Sequence, residues 1–113
     1  MIIQLKRFTH KRGSGSYAQV ATQEKVTDFV KCPEQALDMR PYVLGLHHAP
    51  DPVFYDLYAV SNHFGSLNGG HYTATCKNQP SGKWYSFTDS QCEPAQGEIV
   101  TPAAYLLFYR RRD

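Results

Sequence analysis

Two runs, Gly69–Asn78 (GGHYTATCKN) and Gly82–Ser90 (GKWYSFTDS), stand on either side of Gln79-Pro80-Ser81. Both are rich in aromatic and small hydroxyl side chains, and Asn and Gly flank the turn between them. That pattern reads as two strands joined by a tight connection, an antiparallel hairpin. Asn78, Pro80 and Gly82 mark the connection between them as a turn. The surrounding segments agree. Val53–Gly65 (VFYDLYAVSNHFG) is the longest apolar run, and its β-branched and aromatic residues predict a strand. Tyr105–Arg111 (YLLFYRR) predicts a buried closing strand with a charged end, its core Tyr105, Phe108 and Tyr109. The start, MIIQLKRF, alternates Ile3 and Leu5 with Gln4 and Lys6 in a period of two.

Thr9–Gln19 is polar and Gly/Ser-rich and predicts a loop. Glu24–Pro33 predicts a short edge strand, and Pro41 limits Glu34–Val43 to one helical turn. Pro94–Gly97 predicts a further turn. No repeat or coiled-coil heptad is present. The expected fold is a mainly antiparallel sheet with little helix.

Composition narrows the function classes. At 113 residues the chain is one domain, and with 42% hydrophobic residues it can bury a core. A net charge of +2 is too weak to draw nucleic acid or a membrane surface, and Arg110-Arg111-Arg112 reads as a solvated tail. Three cysteines without a CxxC pair argue against a disulfide framework or a self-contained zinc site and suit a reducing compartment. With no signal peptide and no membrane-spanning run, an intracellular, cytoplasmic or nuclear, soluble protein is expected. His47-His48, with His10 and His63, do not make a metal site. Adjacent residues on an extended run point opposite ways, and no cysteine or carboxylate lies at ligand spacing. No cofactor is expected.

The hairpin carries the candidate chemistry. Alternation puts His71, Thr73 and Thr75 on one side and Tyr72, Ala74 and Cys76 on the other, so Cys76 is no thiol partner of His71 and reads as a small buried hydrophobe. Folding the chain about Pro80 sets Asp89 or its neighbour Thr88 opposite His71, and a one-residue slip chooses between them. A histidine held by an oxygen on the adjacent strand is the base–orienter half of a nucleophilic triad. A carboxylate would fix the tautomer and stabilise the imidazolium; a hydroxyl does only the first well. Gly69-Gly70 implies close backbone approach or positive φ just before the histidine. The plainer reading is a polar contact on a sheet face.

Taken together, YDLYAVSNHFGSLNGGHYTATCKN, GKWYSFTDS and AAYLLFYRRRD closely resemble the histidine-box end of the ubiquitin-specific proteases, papain-like cysteine deubiquitinases, and IIQLKRF resembles the strand preceding it. The resemblance runs in order over nearly the whole chain. It implies that residues 1–113 are the C-terminal part of a catalytic domain, the sheet of the family's palm within an α+β papain-like fold, with the N-terminal thumb missing. It further implies His71 as catalytic base, His63 as a supporting histidine near the cleft, and Gly69, Gly70 and Tyr72 beside the channel for the Gly-Gly tail of ubiquitin, the expected partner. Two departures stand out. Thr88 occupies the position usually given to the third catalytic residue, so either the following Asp89 compensates or Thr88 only orients the ring. No Gly-Asn-x-Cys segment is present; neither Cys32 nor Cys92 matches it, so the chain by itself is expected to be inert. The alternative is a non-catalytic pseudo-protease or ubiquitin-binding module; an unrelated all-β scaffold would require the ordered blocks to be coincidence. With the thumb absent, one sheet face should be bare and apolar, and the isolated chain poorly soluble.

Overall fold

The computed structural model describes residues 1–12, 21–45 and 53–112. The elements are β1 (Ile2–Gln4), β2 (Phe8–Arg12), β3 (Ala21–Lys25), β4 (Leu37–Asp38), a 3₁₀ turn (Arg40–Tyr42), β5 (Phe54–Ser66), β6 (Gly69–Lys77), β7 (Trp84–Thr88), β8 (Gln91–Pro94) and β9 (Ala104–Arg111). Seven strands form one sheet in the order β1-β9-β5-β6-β7-β8, with β4 also paired to β5, and β2-β3 form a separate hairpin. Every pairing is antiparallel. The mainly antiparallel fold expected from the sequence is what the chain adopts.

Three local expectations are corrected. Thr9–Arg12 continue β2 rather than opening a loop, because they pair with β3. The strand expected over Glu24–Pro33 stops at Lys25. Pro94, expected to open a turn, instead ends the edge strand β8 (Gln91–Pro94). The remainder of the predicted Gly/Ser loop, and His47-His48, lie outside the described residues.

The core is set by two irregularities. Leu57 and Val60 are three residues apart, an odd spacing that would place them on opposite faces of a regular strand. A bulge at Tyr58 restores the parity: Leu57 pairs with Tyr109 and Ala59 with Phe108. The freed N–H of Leu57 donates to the Glu34 carbonyl at 2.8 Å. A second bulge does the same on β9, where Ser61 pairs with Leu106 and Asn62 with Ala104, leaving Tyr105 as the extra residue. Leu57, Val60, Ala104, Leu107 and Tyr109 thereby share one buried cluster with Val100. Ile3, Leu5, Cys32, Leu37, Trp84 and Ile99 pack against it. Tyr109 is core as expected, whereas Tyr105 and Phe108 are only half-buried.

Residues 26–34 cover this core without regular hydrogen bonding of their own. They are pinned by side chains. Arg7, almost wholly buried, donates through Nε to the Ala104 carbonyl at 3.0 Å and through its terminal nitrogen to the carbonyls of Val26 and Asp28. The Tyr109 hydroxyl donates to the Pro33 carbonyl at 2.8 Å. Burial, reinforced by Cys32, pushes that hydroxyl's pKa up to about 12.

Candidate active site

The β6-β7 hairpin owes its register to its turn. Asn78 accepts the Ser81 N–H at 3.1 Å and the Ser81 hydroxyl at 3.0 Å on its side-chain oxygen, and Gly82 takes φ +71°. An Asx-type turn ending in a left-handed glycine closes Lys77 onto Trp84. The pairs Lys77–Trp84 to Ala74–Phe87 put the fold axis between Pro80 and Ser81. That is one residue beyond the register expected from the sequence, and the slip exchanges faces. The ladder between the two strands ends at Ala74–Phe87, and Asp89 and Ser90 turn the chain into β8. Ser86 pairs with Thr75, so alternation puts Thr88 on the face of His71. Asp89 leaves the strand: it occupies the β7-β8 turn in the left-handed region at φ +50° and is exposed. Among the described residues no hydrogen bond joins His71 to Thr88 or Asp89.

His71 itself is exposed, opposite Phe64 on β5. Below it the shared face is polar. Asn62 is buried and donates to the hydroxyls of Thr73 (3.3 Å) and Thr75 (3.4 Å), while its own carbonyl oxygen has no hydrogen-bond partner among the described residues. Asn62, on the face of the candidate site, was missed in reading the sequence; its only signal was adjacency to His63 in SNHFG.

The other side of β6 holds a second constellation. Tyr72 pairs with His63, and their rings lie 4.8 Å apart. His63 is buried and also meets Phe8 at 5.7 Å and Tyr105 at 6.1 Å. Tyr105 reaches this side through the β9 bulge. Burial, and then the Lys25 charge, hold the His63 imidazole below its ordinary pKa.

The two glycines before His71 differ. A Cβ on Gly70 would fall 2.3 Å from Nε2 of His63 and 2.6 Å from the Phe64 carbonyl oxygen, whereas one on Gly69 would meet nothing within 4 Å. Neither has positive φ. Close approach, not left-handed backbone, thus explains Gly70, and the crowding is internal to the protein.

The structure brings His71 and Thr88 onto one face and His63, Gly70 and Tyr72 into one cluster; it separates Asp89 from both. Cys76 and Cys92 lie on the face opposite His71, and Cys32 packs against the core. Burial raises the thiol pKa of Cys32 and Cys76. Among the described residues no group of three or more His, Cys, Asp or Glu could hold a metal ion, and no helix is long and apolar enough to cross a membrane. Chemically, an exposed imidazole can take a proton from a nucleophile brought to it.

Comparison with known proteins bears on what that nucleophile serves. The family described as ubiquitin carboxyl-terminal hydrolase matches residues 1–109. Ubiquitin carboxyl-terminal hydrolase 4 of Rattus norvegicus is 44% identical over 114 residues, covering 100% of this chain and 11% of the relative. Ubiquitin carboxyl-terminal hydrolase 31 of Homo sapiens is 40% identical over 133 residues, covering 99% of this chain and 9% of the relative. The chain therefore spans about a tenth of the length of these curated relatives. Among solved structures, the SAGA DUB module Ubp8(C146A)/Sgf11/Sus1/Sgf73 bound to monoubiquitin matches with a TM-score of 0.80 at 34% identity, covering 99% of this chain and 23% of that one. The Ubp8-Sgf11-Sgf73-Sus1 SAGA DUB module matches with a TM-score of 0.79 at 32% identity, covering 100% and 24%. The fold, the ordered histidine-box motifs and these relatives agree: the chain belongs to the ubiquitin carboxyl-terminal hydrolase family, as a ubiquitin-specific protease sheet.

Proposed function

We propose that this chain supplies the general base, and the residue that orients it, to a thiol-dependent deubiquitinase acting inside the cell. The observation that carries the reading is the exposed His71 on a face shared with Thr88, within a chain of this family. In the reaction, a cysteine thiolate contributed from outside these residues attacks the carbonyl after the terminal glycine of ubiquitin. His71 takes the thiol proton and returns it to the departing lysine amine. Water then attacks the thioester, giving His71 a proton, and releases ubiquitin and the free thiol. Gly69, open and lacking a side chain, together with Tyr72 would border the path of the ubiquitin tail, with His63 supporting it. Thr88 is the favoured orienter because it shares the face of His71; Asp89 could take over only if the β7-β8 turn turned inward.

The test uses the intact protein with a fluorogenic ubiquitin amide and a ubiquitin C-terminal electrophile. The expected results are covalent capture of the electrophile and a loss of turnover of roughly 10²–10⁴-fold in His71→Ala. Thr88→Asp should raise kcat at least about tenfold, the worth of one charge-assisted hydrogen bond. Full turnover in His71→Ala defeats the proposal. The neutral Thr88 motivates a second reading, a pseudo-protease that binds ubiquitin without cleaving it. Binding with neither capture nor turnover would establish that reading instead.

A further inference from the structure

The ring of His63 touches both residues that flank His71. Gly70, immediately before it, is so close that a methyl group there would overlap Nε2 (2.3 Å) and Cε1 (2.9 Å) of His63. Tyr72, immediately after it, lies tilted at 53° against the same ring, with centroids 4.8 Å apart. His71 points to the opposite side of the strand, so the backbone that carries it is clasped from behind. The clasp is itself anchored. The His63 N–H donates to the Ala103 carbonyl at 2.9 Å, the His63 carbonyl accepts from Lys25 Nζ at 3.1 Å, and Phe8 and Tyr105 close the remaining edges. Nδ1 of His63 is buried and makes no hydrogen bond among the described residues. What holds this ring is packing and not polar contact, and what it contributes is shape.

We propose that His63 is a positioning residue: its imidazole is the rigid floor under Gly70 and Tyr72 that fixes the backbone, and hence the ring, of His71. The role is steric and does not use proton transfer by His63. This rests on the proposed function, in which His71 is the base, and it explains why residue 70 must be glycine. A larger side chain would lift the strand off its floor. A six-membered ring in place of the imidazole would do the same from below.

A double-mutant cycle in the intact protein tests the contact, with Gly70→Ala and His63→Ala made singly and together. Each single change should lower kcat about tenfold or more while KM for the ubiquitin amide moves less than about threefold, the mark of misplaced chemistry and not of lost binding. The double variant should be at least about fivefold more active than the product of the two losses, because the methyl group occupies space the ring has vacated. The Phe64 carbonyl remains in both backgrounds and cancels from the cycle. A purely structural role predicts losses that multiply. Multiplying losses, or His63→Ala with unchanged kcat, overturn the proposal. If His63→Ala does not fold, His63→Asn, which keeps a planar polar group and vacates the Nε2 and Cε1 positions, runs the same cycle. The His71 imidazole resonances in each variant give a readout independent of activity: they should shift in both single variants and return toward the wild-type position in the double. Wild-type protein that hydrolyses nothing would defeat the deubiquitinase reading alone; the cycle would then be decided by those resonances.

Discussion

Arg7 shows how one side chain organises residues that have no regular structure. Its guanidinium is buried with three backbone carbonyls, and among the described residues it meets no carboxylate and one terminal nitrogen has no hydrogen-bond partner. A buried charge without a counter-ion is retained at a cost, and the carbonyls of Val26, Asp28 and Ala104 offset it by accepting charge-assisted bonds. Arg7→Met should lower unfolding stability by about 2–3 kcal/mol in a urea titration, since it frees three carbonyls under the 26–34 segment. Tyr109→Phe removes a single hydroxyl contact to Pro33 and should cost about 1 kcal/mol by the same measurement.

At the scale of elements, the β5-β6 hairpin is governed by where side chains are forbidden. Gly65 sits at φ +105°, and a Cβ there would approach the Gly69 carbonyl oxygen to 2.7 Å and Gly70 Cα to 2.9 Å. Strain and clash both oppose any substitution. Gly65→Ala should destabilise by about 2–3 kcal/mol, with faster amide exchange concentrated at the hairpin tip. Gly69 makes the contrasting prediction. Its surroundings are open, so Gly69→Ala should change stability by less than about 1 kcal/mol. If the ubiquitin tail passes over it, KM nonetheless rises in steady-state assays. A parallel rise in unfolding and KM would remove Gly69 from the substrate path.

The molecule as a whole is a slab, 57 × 44 × 18 Å, with a core on one side of its sheet. On the other side Ile2, Tyr58, Tyr72 and Phe87 are between 40% and 62% exposed. A face this apolar should make the isolated chain self-associate, and a monodisperse, cooperatively melting monomer in sedimentation would contradict that. Its pH dependence has three parts. The depressed pKa of His63 means the unfolded chain binds a proton first, so stability falls as pH drops below about 6.5. His63→Asn should abolish that limb in thermal melts. Asp56, held low by Arg112 and then by the Ala36 N–H, adds a smaller loss below about pH 4; the pair is exposed, and its contribution is at most about 1 kcal/mol. Above about pH 10 the raised Tyr109 pKa reverses the sense: the folded state keeps a proton that the unfolded one releases, so stability declines until about pH 12.

Alternation, turn residues and motif order were enough to find the central hairpin, the long strand through His63, the closing strand, the family, and the separation of His71 from Cys76. These are local properties, dictated by a period of two and by what Asn, Gly and Pro allow. The register about Pro80 was not legible to the residue, because the choice depends on how Asn78 and Ser81 close the turn. That one step moved Thr88 to the face of His71 and Asp89 into a bend. Nor did parity foretell the bulges at Tyr58 and Tyr105. They arise where neighbouring segments hydrogen-bond to the bulged strands: the Leu57 N–H donates to the Glu34 carbonyl at 2.8 Å, and the Tyr105 carbonyl accepts from the Leu5 N–H at 2.9 Å. The strand pattern was written in neighbouring residues. Which side chains meet beneath His71 was decided by contacts between residues up to a hundred positions apart.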